Sequence, residues 1–180
     1  MNGLPIRTER LDIRDFSLAD LPAVHALVSD AEVARFTSFD SKSVEQSEAM
    51  LRDWLPGDGE REHYKLAALS RGSDELVGWA GSMARDEEQF EIGYAVTRAA
   101  WGRGLATEIA QAMTAFSFDA RRAHRVFARV DPRNPASARV LEKLGFRREA
   151  HFRLDSKLKG EWCDTVVFGM LASEWRLREA

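Results

Sequence analysis

The sequence contains little cysteine, proline or glycine. Its 180 residues include one cysteine, Cys163, together with five prolines and twelve glycines. Because a single thiol cannot form an internal disulfide, a reducing cytoplasmic compartment is predicted. The small share of glycine and proline excludes a collagen-like or low-complexity chain. The length of the chain predicts a single globular domain over residues 1–180.

Long hydrophobic runs are also missing. The longest apolar run covers residues 166–172, whereas a membrane helix needs about 20 apolar residues. Residues 1–10 lack the apolar core of a signal peptide. The sequence therefore predicts no membrane partner. Metal-ligand spacing is absent as well, so no metal site is predicted from the four histidines, His25, His63, His124 and His151.

Charge of the two signs nearly balances over the whole chain, but it is unevenly distributed. The 26 basic and 29 acidic residues give a net charge of −3. Residues 121–153, the basic segment, hold ten Arg or Lys and three Asp or Glu, so the segment carries +7 and the remainder −10. Such a segment favours an anionic partner, either nucleic acid or a phosphorylated cofactor. A solvated face without a ligand is the third interpretation.

Hydrophobic periodicity and helix-capping signals predict the secondary structure. The predicted helices begin at the capping residues Ser17 and Ser43, near Gly104, and at Asn134. The predicted strands cover residues 8–16, 64–70, 76–83, 90–96, 125–130, 146–154 and 164–171. The resulting order is β, α, α, β, β, β, α, β, α, β, β, which predicts one α/β domain with a mixed sheet.

A glycine-containing turn lies between the predicted strand 90–96 and the helix that follows it. It reads Trp101, Gly102, Arg103, Gly104, Leu105, Ala106, Thr107. Glycines let a backbone approach a ligand closely, and the first N–H groups of a helix attract negative charge, so the turn is typical of a diphosphate cradle. Thr107 replaces the third glycine of a dinucleotide fingerprint, and the P-loop pattern is absent. On these residues alone, a ligand-free turn is an equal alternative.

A second helix start follows another predicted strand. Asn134 is a good N-cap, Pro135 suits the first helical position, and Gly145 ends the helix. Two strand–turn–helix units of this kind would place two helix N-termini beside one split in the sheet. The alternative interpretation is a well-capped helix without a ligand.

Taken in this order, the two motifs resemble those of the GCN5-related N-acetyltransferase (GNAT) superfamily. The first motif there is Q/R-x-x-G-x-G/A, and here Trp101 stands at its first position, with Gly104 and Ala106 at its small positions. The later motif is matched by Asn134 and by the Lys-Leu-Gly-Phe of residues 143–146. More narrowly, the sequence resembles the branch of ribosomal-protein N-terminal acetyltransferases (RimJ/RimL type) in residues 8–14, 91–94, 101–108, 134–137 and 174–175.

The resemblance implies a fold, a cosubstrate and a binding site. The GNAT fold has a mixed, mostly antiparallel sheet of about seven strands, splayed between strands 4 and 5 and flanked by about four helices. Acetyl-CoA would be the donor, with its diphosphate on the glycine turn, its pantetheine arm along strand 90–96, and its 3′-phosphate facing the basic segment. The implied cofactor-binding residues are Ala95, Val96, Trp101, Gly102, Arg103, Gly104, Leu105, Ala106, Thr107, Asn134 and Ser137.

The resemblance also implies direct attack of a neutral amine on the thioester in a ternary complex. Many members carry a tyrosine that protonates the leaving thiolate, but Leu141 stands at that position here. Ser137 is the nearest candidate, either relaying a proton or hydrogen-bonding the sulfur. Glu91 is the candidate general base, with a surface carboxylate as an equal alternative. A backbone N–H near Ala95 or Val96 would stabilise the oxyanion.

The branch resemblance favours the α-amine of a protein N-terminus as the acceptor. A small amine such as a polyamine, amino acid or antibiotic is the alternative, and the acidic segments 40–62 and 86–91 would attract a cationic acceptor of either type. A nucleic-acid- or ribosome-binding module is more remote, because the basic segment lacks interleaved aromatics and a reading motif. Members of the branch often form dimers, which allows a homodimer. The core or a dimer surface is predicted for Trp54, Trp79, Trp162 and Trp175.

Overall fold

A computed structural model describes residues 3–37, 39–57 and 61–177. The described residues form eight strands: β1 Ile6–Arg7, β2 Leu11–Asp15, β3 His63–Ser70, β4 Leu76–Asp86, β5 Gln89–Val96, β6 Arg125–Val130, β7 Arg147–Leu158 and β8 Glu161–Leu171. They also form the helices α1 Leu21–Ser29, α2 Ala31–Ala34, α3 Val44–Trp54, α4 Leu105–Ala115, α5 Pro135–Lys143 and α6 Ala172–Arg176. A 3₁₀ turn, Leu18–Asp20, leads into α1, and a π-helical segment, Phe116–Ala120, extends α4.

The strands make one sheet in the order β1-β2-β3-β4-β5-β6-β8-β7. Neighbouring strands are antiparallel except for β5 and β6, which are parallel. The prediction of a mixed, mostly antiparallel α/β sheet is therefore confirmed. The additional strand is β1, whose two residues pair opposite Asp12 and Ile13. A two-residue strand is too short to show the apolar alternation on which sequence prediction depends.

The parallel pair β5–β6 separates part of the way along its length. The pairing register runs from Gln89–Arg125 to Glu91–Phe127 and ends there. From Ile92 onward β5 pairs with β4 alone, up to the pair formed by Val96 and Gly78. The implied splay between the fourth and fifth strands of the prediction is therefore present, and it begins at Glu91.

Helices cover both faces of the sheet, each with its own apolar core. On one face, Ile109, Met113 and Leu141 from α4 and α5 pack with Ile92 and Val126 of the central strands. The opposite face is covered by Val24 and Leu27 of α1 and Leu51 of α3, which pack with Ala67 and Trp79. Because β4 is covered on both sides, its residues Leu76 to Ser82 are all buried.

Local capping signals place the helix starts as predicted. The backbone N–H of Ser17 donates to the Asp20 carboxylate over 2.8 Å. At α3, Ser43 N–H donates to the Gln46 side-chain oxygen over 3.0 Å, and Gln46 N–H donates back to Ser43 Oγ over 3.3 Å. At α5, Asn134 Oδ1 accepts from the N–H of Ser137 over 3.1 Å.

The last two strands are longer than the sequence predicts. They cover residues 147–158 and 161–171 instead of 146–154 and 164–171, and they extend to a turn at Gly160. Most of β7 is exposed at the edge of the sheet. An exposed edge strand does not need one buried apolar face, so its pattern carries little signal. None of the helices in the described ranges is long and apolar enough to cross a bilayer.

Candidate functional site

A cavity of about 700 Å³ opens where β5 and β6 separate. On the face covered by α1 and α3 it lies over the middle of β3, β4 and β5, and through the splay it reaches the first turn of α5. Its lining includes Phe36, Thr37, Phe39, Met50, Trp54, Lys65, Trp79, Met83, Arg85, Glu91, Ile92, Gly93, Tyr94, Ala128, Arg129, Val130, Asp131, Asn134 and Ser137. The structure thus brings Glu91, Asn134 and Ser137 together in one cavity.

Two paired glycines lie in the sheet beneath this cavity, and one of them, Gly93, belongs to its lining. Gly81 of β4 pairs with Lys65 of β3 on one side and with Gly93 of β5 on the other. A Cβ atom at Gly93 would lie 3.2 Å from the ring of Trp79, and one at Gly81 would lie 3.2 Å from Met83 Sδ. These distances are tight for carbon contacts, so the missing side chains let Trp79 and Met83 lie close over the sheet.

Glu91 lies at the mouth of the splay, because it is the last β5 residue paired with β6. Its side chain is 15% exposed, and Arg85 Nε lies 2.7 Å from one carboxylate oxygen. Arg85 fixes the orientation of the carboxylate. The position suits a group that accepts a proton from an amine in the cavity.

The lining of the cavity also contains two hydroxyl groups in contact. The Tyr94 hydroxyl lies 3.1 Å from Ser137 Oγ and 3.3 Å from the Ser137 carbonyl oxygen. Burial raises the pKa of Tyr94 to about 12, against the weaker opposite effect of the hydrogen bond with Ser137. At neutral pH the Tyr94 hydroxyl is therefore protonated and able to donate.

The sequence did not single out Tyr94, although the signal was available. Strand alternation places Tyr94 on the same face as Phe90 and Ile92, which is the face covered by α4 and α5. Its ring packs against the apolar core on that face, so only its hydroxyl group marks it as a functional candidate. Leu141, at the position where many relatives carry the tyrosine, is fully buried in that core. A phenol is thus supplied to Ser137 from β5 instead of from α5.

The glycine turn adopts the conformation that its sequence requires. Gly102 has φ +71° and Gly104, the N-cap of α4, has φ +77°, both in the left-handed region that favours glycine. The first bond within α4 runs from Glu108 N–H to Gly104 O over 3.1 Å. The N–H groups of residues 105–107 precede it and are left for an external acceptor.

The turn is held in place from both sides. The Trp101 indole N–H donates to the Val96 carbonyl oxygen over 3.1 Å, while its ring remains 45% exposed. On the other side, Arg10 donates to the Arg103 carbonyl oxygen over 2.8 Å and pairs with Glu108 over 2.6 Å. The N-terminal stretch that resembles the RimJ/RimL branch therefore supports the turn.

These residues fit the diphosphate and pantetheine of a CoA thioester. The first turn of α4 offers backbone N–H groups, and helix N-termini favour anions. Beyond Glu91, the edge of β5 that faces away from β4 is open to the splay. Asn134 and Ser137 line the cavity at the start of α5, although Asn134 Oδ1 already caps that helix.

The basic segment is largely used within the fold. Arg125, Arg129, Arg133 and Arg147 pair with Glu149, Asp155, Asp131 and Glu174, respectively. Arg121 stacks over Phe90 at 4.1 Å and donates to the Glu62 carbonyl oxygen over 2.8 Å. With Arg148, which contacts His151 Nδ1 over 3.2 Å, six of the ten cations have internal partners, so fewer remain for a phosphate than the charge count suggested.

The sequence of the chain matches a known family over most of its length. Residues 10–147, more than half of the chain, match the model of the acetyltransferase (GNAT) domain. The uncharacterised N-acetyltransferase p20 of Bacillus licheniformis is 30% identical over 173 residues, which cover 93% of this chain and 96% of that protein.

A solved structure and a shorter sequence match are also acetyltransferases. A crystal structure of an acetyltransferase (GNAT family) from Bacillus anthracis, 29% identical, superposes with a TM-score of 0.86 and covers 94% of this chain and 99% of that one. The [ribosomal protein uS5]-alanine N-acetyltransferase of Escherichia coli (strain K12) is 27% identical over 84 residues, 47% of this chain and 43% of that protein. Likeness to this ribosomal-protein enzyme is therefore partial.

Proposed function

Because the chain belongs to the acetyltransferase (GNAT) family, and is thus an acyltransferase that acts on amines, we propose that it acetylates the α-amine of a peptide or protein N-terminus. The observation that carries this proposal is the splay of β5 and β6, which joins Glu91 on one wall of the cavity to the Tyr94–Ser137 pair on another. A proton acceptor and a proton donor thus line the cavity in which an acetyl group would pass from the thioester to the amine.

Acetyl-CoA, which this family uses, would supply the acetyl group as an activated thioester. The N–H groups of residues 105–107, with Arg103, would hold the diphosphate. The open edge of β5 up to Val96 would pair with the pantetheine arm, and Asn134 would contact it from α5. An N–H near Ala95 or Val96 would stabilise the oxyanion.

For the transfer to balance, the acceptor nitrogen must lose two protons and the departing thiolate must gain one. Glu91 takes the first proton from the acceptor ammonium, directly or through a water, and passes it to solvent. The neutral nitrogen then bonds to the acetyl carbon and loses its second proton by the same route. As the carbon–sulfur bond breaks, the thiolate receives a proton from the Tyr94 hydroxyl by way of Ser137, and Tyr94 regains a proton from solvent. Ser137 is then the relay that the sequence suggested, and Tyr94 is the acid that it lacked.

An α-amine suits this site better than a polycation does. An α-amine has a pKa near 8, against about 10.4 for a lysine, so Glu91 can deprotonate it more readily. Three of the acids expected to attract a cationic acceptor already have a basic partner: Asp40 pairs with Lys159, Glu48 with Arg52, and Glu91 with Arg85. The partial likeness to the uS5-alanine enzyme adds support for a peptide N-terminus.

We also infer a cytoplasmic location, which rests on the single, buried Cys163. A homodimer stays a prediction of the branch resemblance, and sedimentation of the purified chain would test it. Neither inference enters the chemistry proposed for the cavity.

A panel of acceptors tests the proposed function. Short peptides with free N-termini, the same peptides blocked at the N-terminus but containing lysine, and spermidine are each incubated with acetyl-CoA while thiol release is measured. We expect the free N-termini to be acetylated fastest. Thiol release with spermidine or lysine alone would overturn the α-amine assignment, and release with none of these amines would overturn acetyl transfer to all three classes.

A further inference from the structure

Lys65 projects its ammonium group into the cavity between aromatic rings. Its Nζ lies 3.4 Å from the ring centroid of Trp79 and 5.5 Å from that of Trp54. The side chain is partly buried, and it forms no ion pair with a carboxylate of residues 3–37, 39–57 or 61–177. Aromatic faces attract a cation, but they do not accept its N–H groups as an oxygen does.

The other charged groups of the cavity are neutralised by neighbours. Arg85 pairs with Glu91 over 2.7 Å, Arg129 with Asp155 over 2.7 Å, and Asp131 with Arg133 over 2.6 Å. Lys65 therefore leaves one uncompensated positive charge in a cavity with aromatic walls. Such a charge is costly to bury unless an anion joins it.

Hydrogen-bond donors are also in excess at this end of the cavity. Trp79 Nε1 is buried and has no acceptor among the described residues. It belongs to the same ring over which the Lys65 ammonium lies. Two donor groups without acceptors among the described residues favour an oxygen-bearing ligand over one that brings a further donor.

Lys65 and Glu91 stand on the same face of the sheet, on β3 and β5. Lys65 is in register with Gly81 and Gly93, and Glu91 is two residues from Gly93 along the same strand. Two strand spacings and an offset of two residues along the strand separate their backbones by about 12 Å, and both long side chains can shorten that gap. The cavity thus presents a carboxylate and an ammonium on the same face of the sheet, as recognition of a zwitterion requires.

We propose that Lys65 binds a carboxylate that the acceptor carries close to its amine, while Glu91 receives the amine. This inference rests on the proposed function and narrows its acceptor to α-amines of acidic character. The carboxylate can come from the side chain of an acidic N-terminal residue or from the α-carboxylate of a free amino acid. A polyamine would instead bring a second ammonium towards Lys65 and Arg85.

The protonation state of Lys65 supports this role at neutral pH. Burial lowers the pKa of Lys65 to about 8, with the charge of Arg85 acting in the same direction and that of Glu91 against it. The group is therefore mostly charged at pH 7. A bound carboxylate would favour the charged form further.

Matched acceptor pairs provide the test. One pair is a glutamyl and a glutaminyl peptide that are otherwise identical, and the other is alanine and alaninamide. Initial rates of thiol release give kcat/KM for each. We expect the carboxylate member of at least one pair to be preferred about ten- to a hundredfold, the usual range for a charge-assisted hydrogen bond. Which pair responds distinguishes the side-chain carboxylate from the α-carboxylate.

Variants assign that preference to Lys65. Lys65→Met should abolish the preference for the carboxylate member. It should still turn over the amide member, which shows that the variant is folded. Lys65→Arg should retain the preference. Lys157→Met, on the exposed edge strand, is the matched control and should keep the full preference. Equal turnover within both pairs, or an unchanged preference in Lys65→Met, would overturn the inference alone. If none of the α-amine acceptors supports thiol release, both the proposed function and this inference are overturned.

Discussion

The hydroxyl oxygens of Tyr94 and Ser137 lie 3.1 Å apart, although the two residues belong to a strand and to a helix on opposite sides of the splay. Each can donate to the other, so a proton taken from Ser137 can be replaced from Tyr94. The pair therefore joins the buried phenol to the cavity through one hydroxyl.

Removing the phenol should slow the transfer step. We expect Tyr94→Phe to lower kcat about a hundredfold, within the usual range for loss of a general acid, with little change in the KM for acetyl-CoA. Ser137→Ala should have a similar effect, and the double variant should lose little more, because both residues act in one relay. Steady-state kinetics measures all three. A kcat within twofold of the wild type in Tyr94→Phe would contradict the assignment.

Replacement of Glu91 should have a pH-dependent effect. An α-amine with a pKa near 8 is mostly protonated at pH 7 and mostly neutral at pH 9.5, so it needs a base only at the lower pH. We expect Glu91→Gln to lower kcat/KM about a hundredfold at pH 7 and much less at pH 9.5. Glu87→Gln, exposed in the β4–β5 turn, is the control. An equal loss at both pH values would show that Glu91 acts in some way other than as a base.

The support of the glycine turn by Arg10 should be measurable as CoA affinity. Arg10 bonds both Arg103 O and the Glu108 carboxylate, so Arg10→Ala should loosen the turn. We expect CoA to bind about tenfold more weakly in calorimetry, with the KM for the acceptor unchanged. Arg7→Ala, which removes only an exposed pair with Asp12, is the control. Equal CoA affinity in both variants would show that the turn holds its shape unaided.

A bulky residue in the glycine turn should prevent CoA binding. Gly104→Trp should abolish the 1:1 binding heat, because a diphosphate needs close approach to this backbone. Gly160→Trp carries the same left-handed strain in the β7–β8 turn, with φ +85° against +77°, and should bind CoA normally. Both variants strain the backbone, but only Gly104→Trp obstructs the proposed diphosphate site, so the comparison shows which effect prevents CoA binding. No heat with millimolar CoA in the wild type would contradict the binding site as a whole.

The stability of the fold should also depend on Lys65. Its pKa is lowered from 10.5 to about 8, which corresponds to a cost of about 3 kcal/mol. Below pH 8 both states bind the proton and the full cost is present. Between pH 8 and 10.5 the unfolded state binds more protons, so stability rises with pH.

Urea unfolding between pH 7 and pH 10.5 measures the free energy of unfolding and tests whether it rises with pH. Lys65→Met should be more stable than the wild type at pH 7, and its advantage should shrink as the pH rises towards 10.5. Lys157→Met should show no such trend, because that lysine is exposed. An advantage that is constant with pH would mean that packing, and not charge, separates Lys65→Met from the wild type.

Local signals in the sequence predicted the fold and the cosubstrate side of the site. The capping residues Ser43 and Asn134 fix their helix starts through neighbours three residues away, and the left-handed φ of Gly104 needs no distant partner. Such features depend on the adjacent chain alone, so they can be recognised before the fold is known. The order of the motifs then identified the family.

The acceptor side depends on contacts between distant segments, which the sequence does not display. Lys65 and Trp79 meet because β3 and β4 are neighbours, and Tyr94 meets Ser137 only across the splay. The sequence predicted the core or a dimer surface for Trp79; it lies in the core, and its second role as a cavity wall was missed. Likewise, the basic segment could be counted from the sequence, but its ion pairs could not.

The paired glycines beneath the cavity, Gly81 and Gly93, keep the sheet there free of side chains. A methyl group at either position would press on Met83 or Trp79, and Trp79 is the ring over which the Lys65 ammonium lies. The size of the cavity and the position of the charge proposed to select acceptors would therefore change together. An alanine at either glycine would alter which acceptors are accepted without touching a polar atom, so acceptor range can diverge quickly among chains that share the same chemistry.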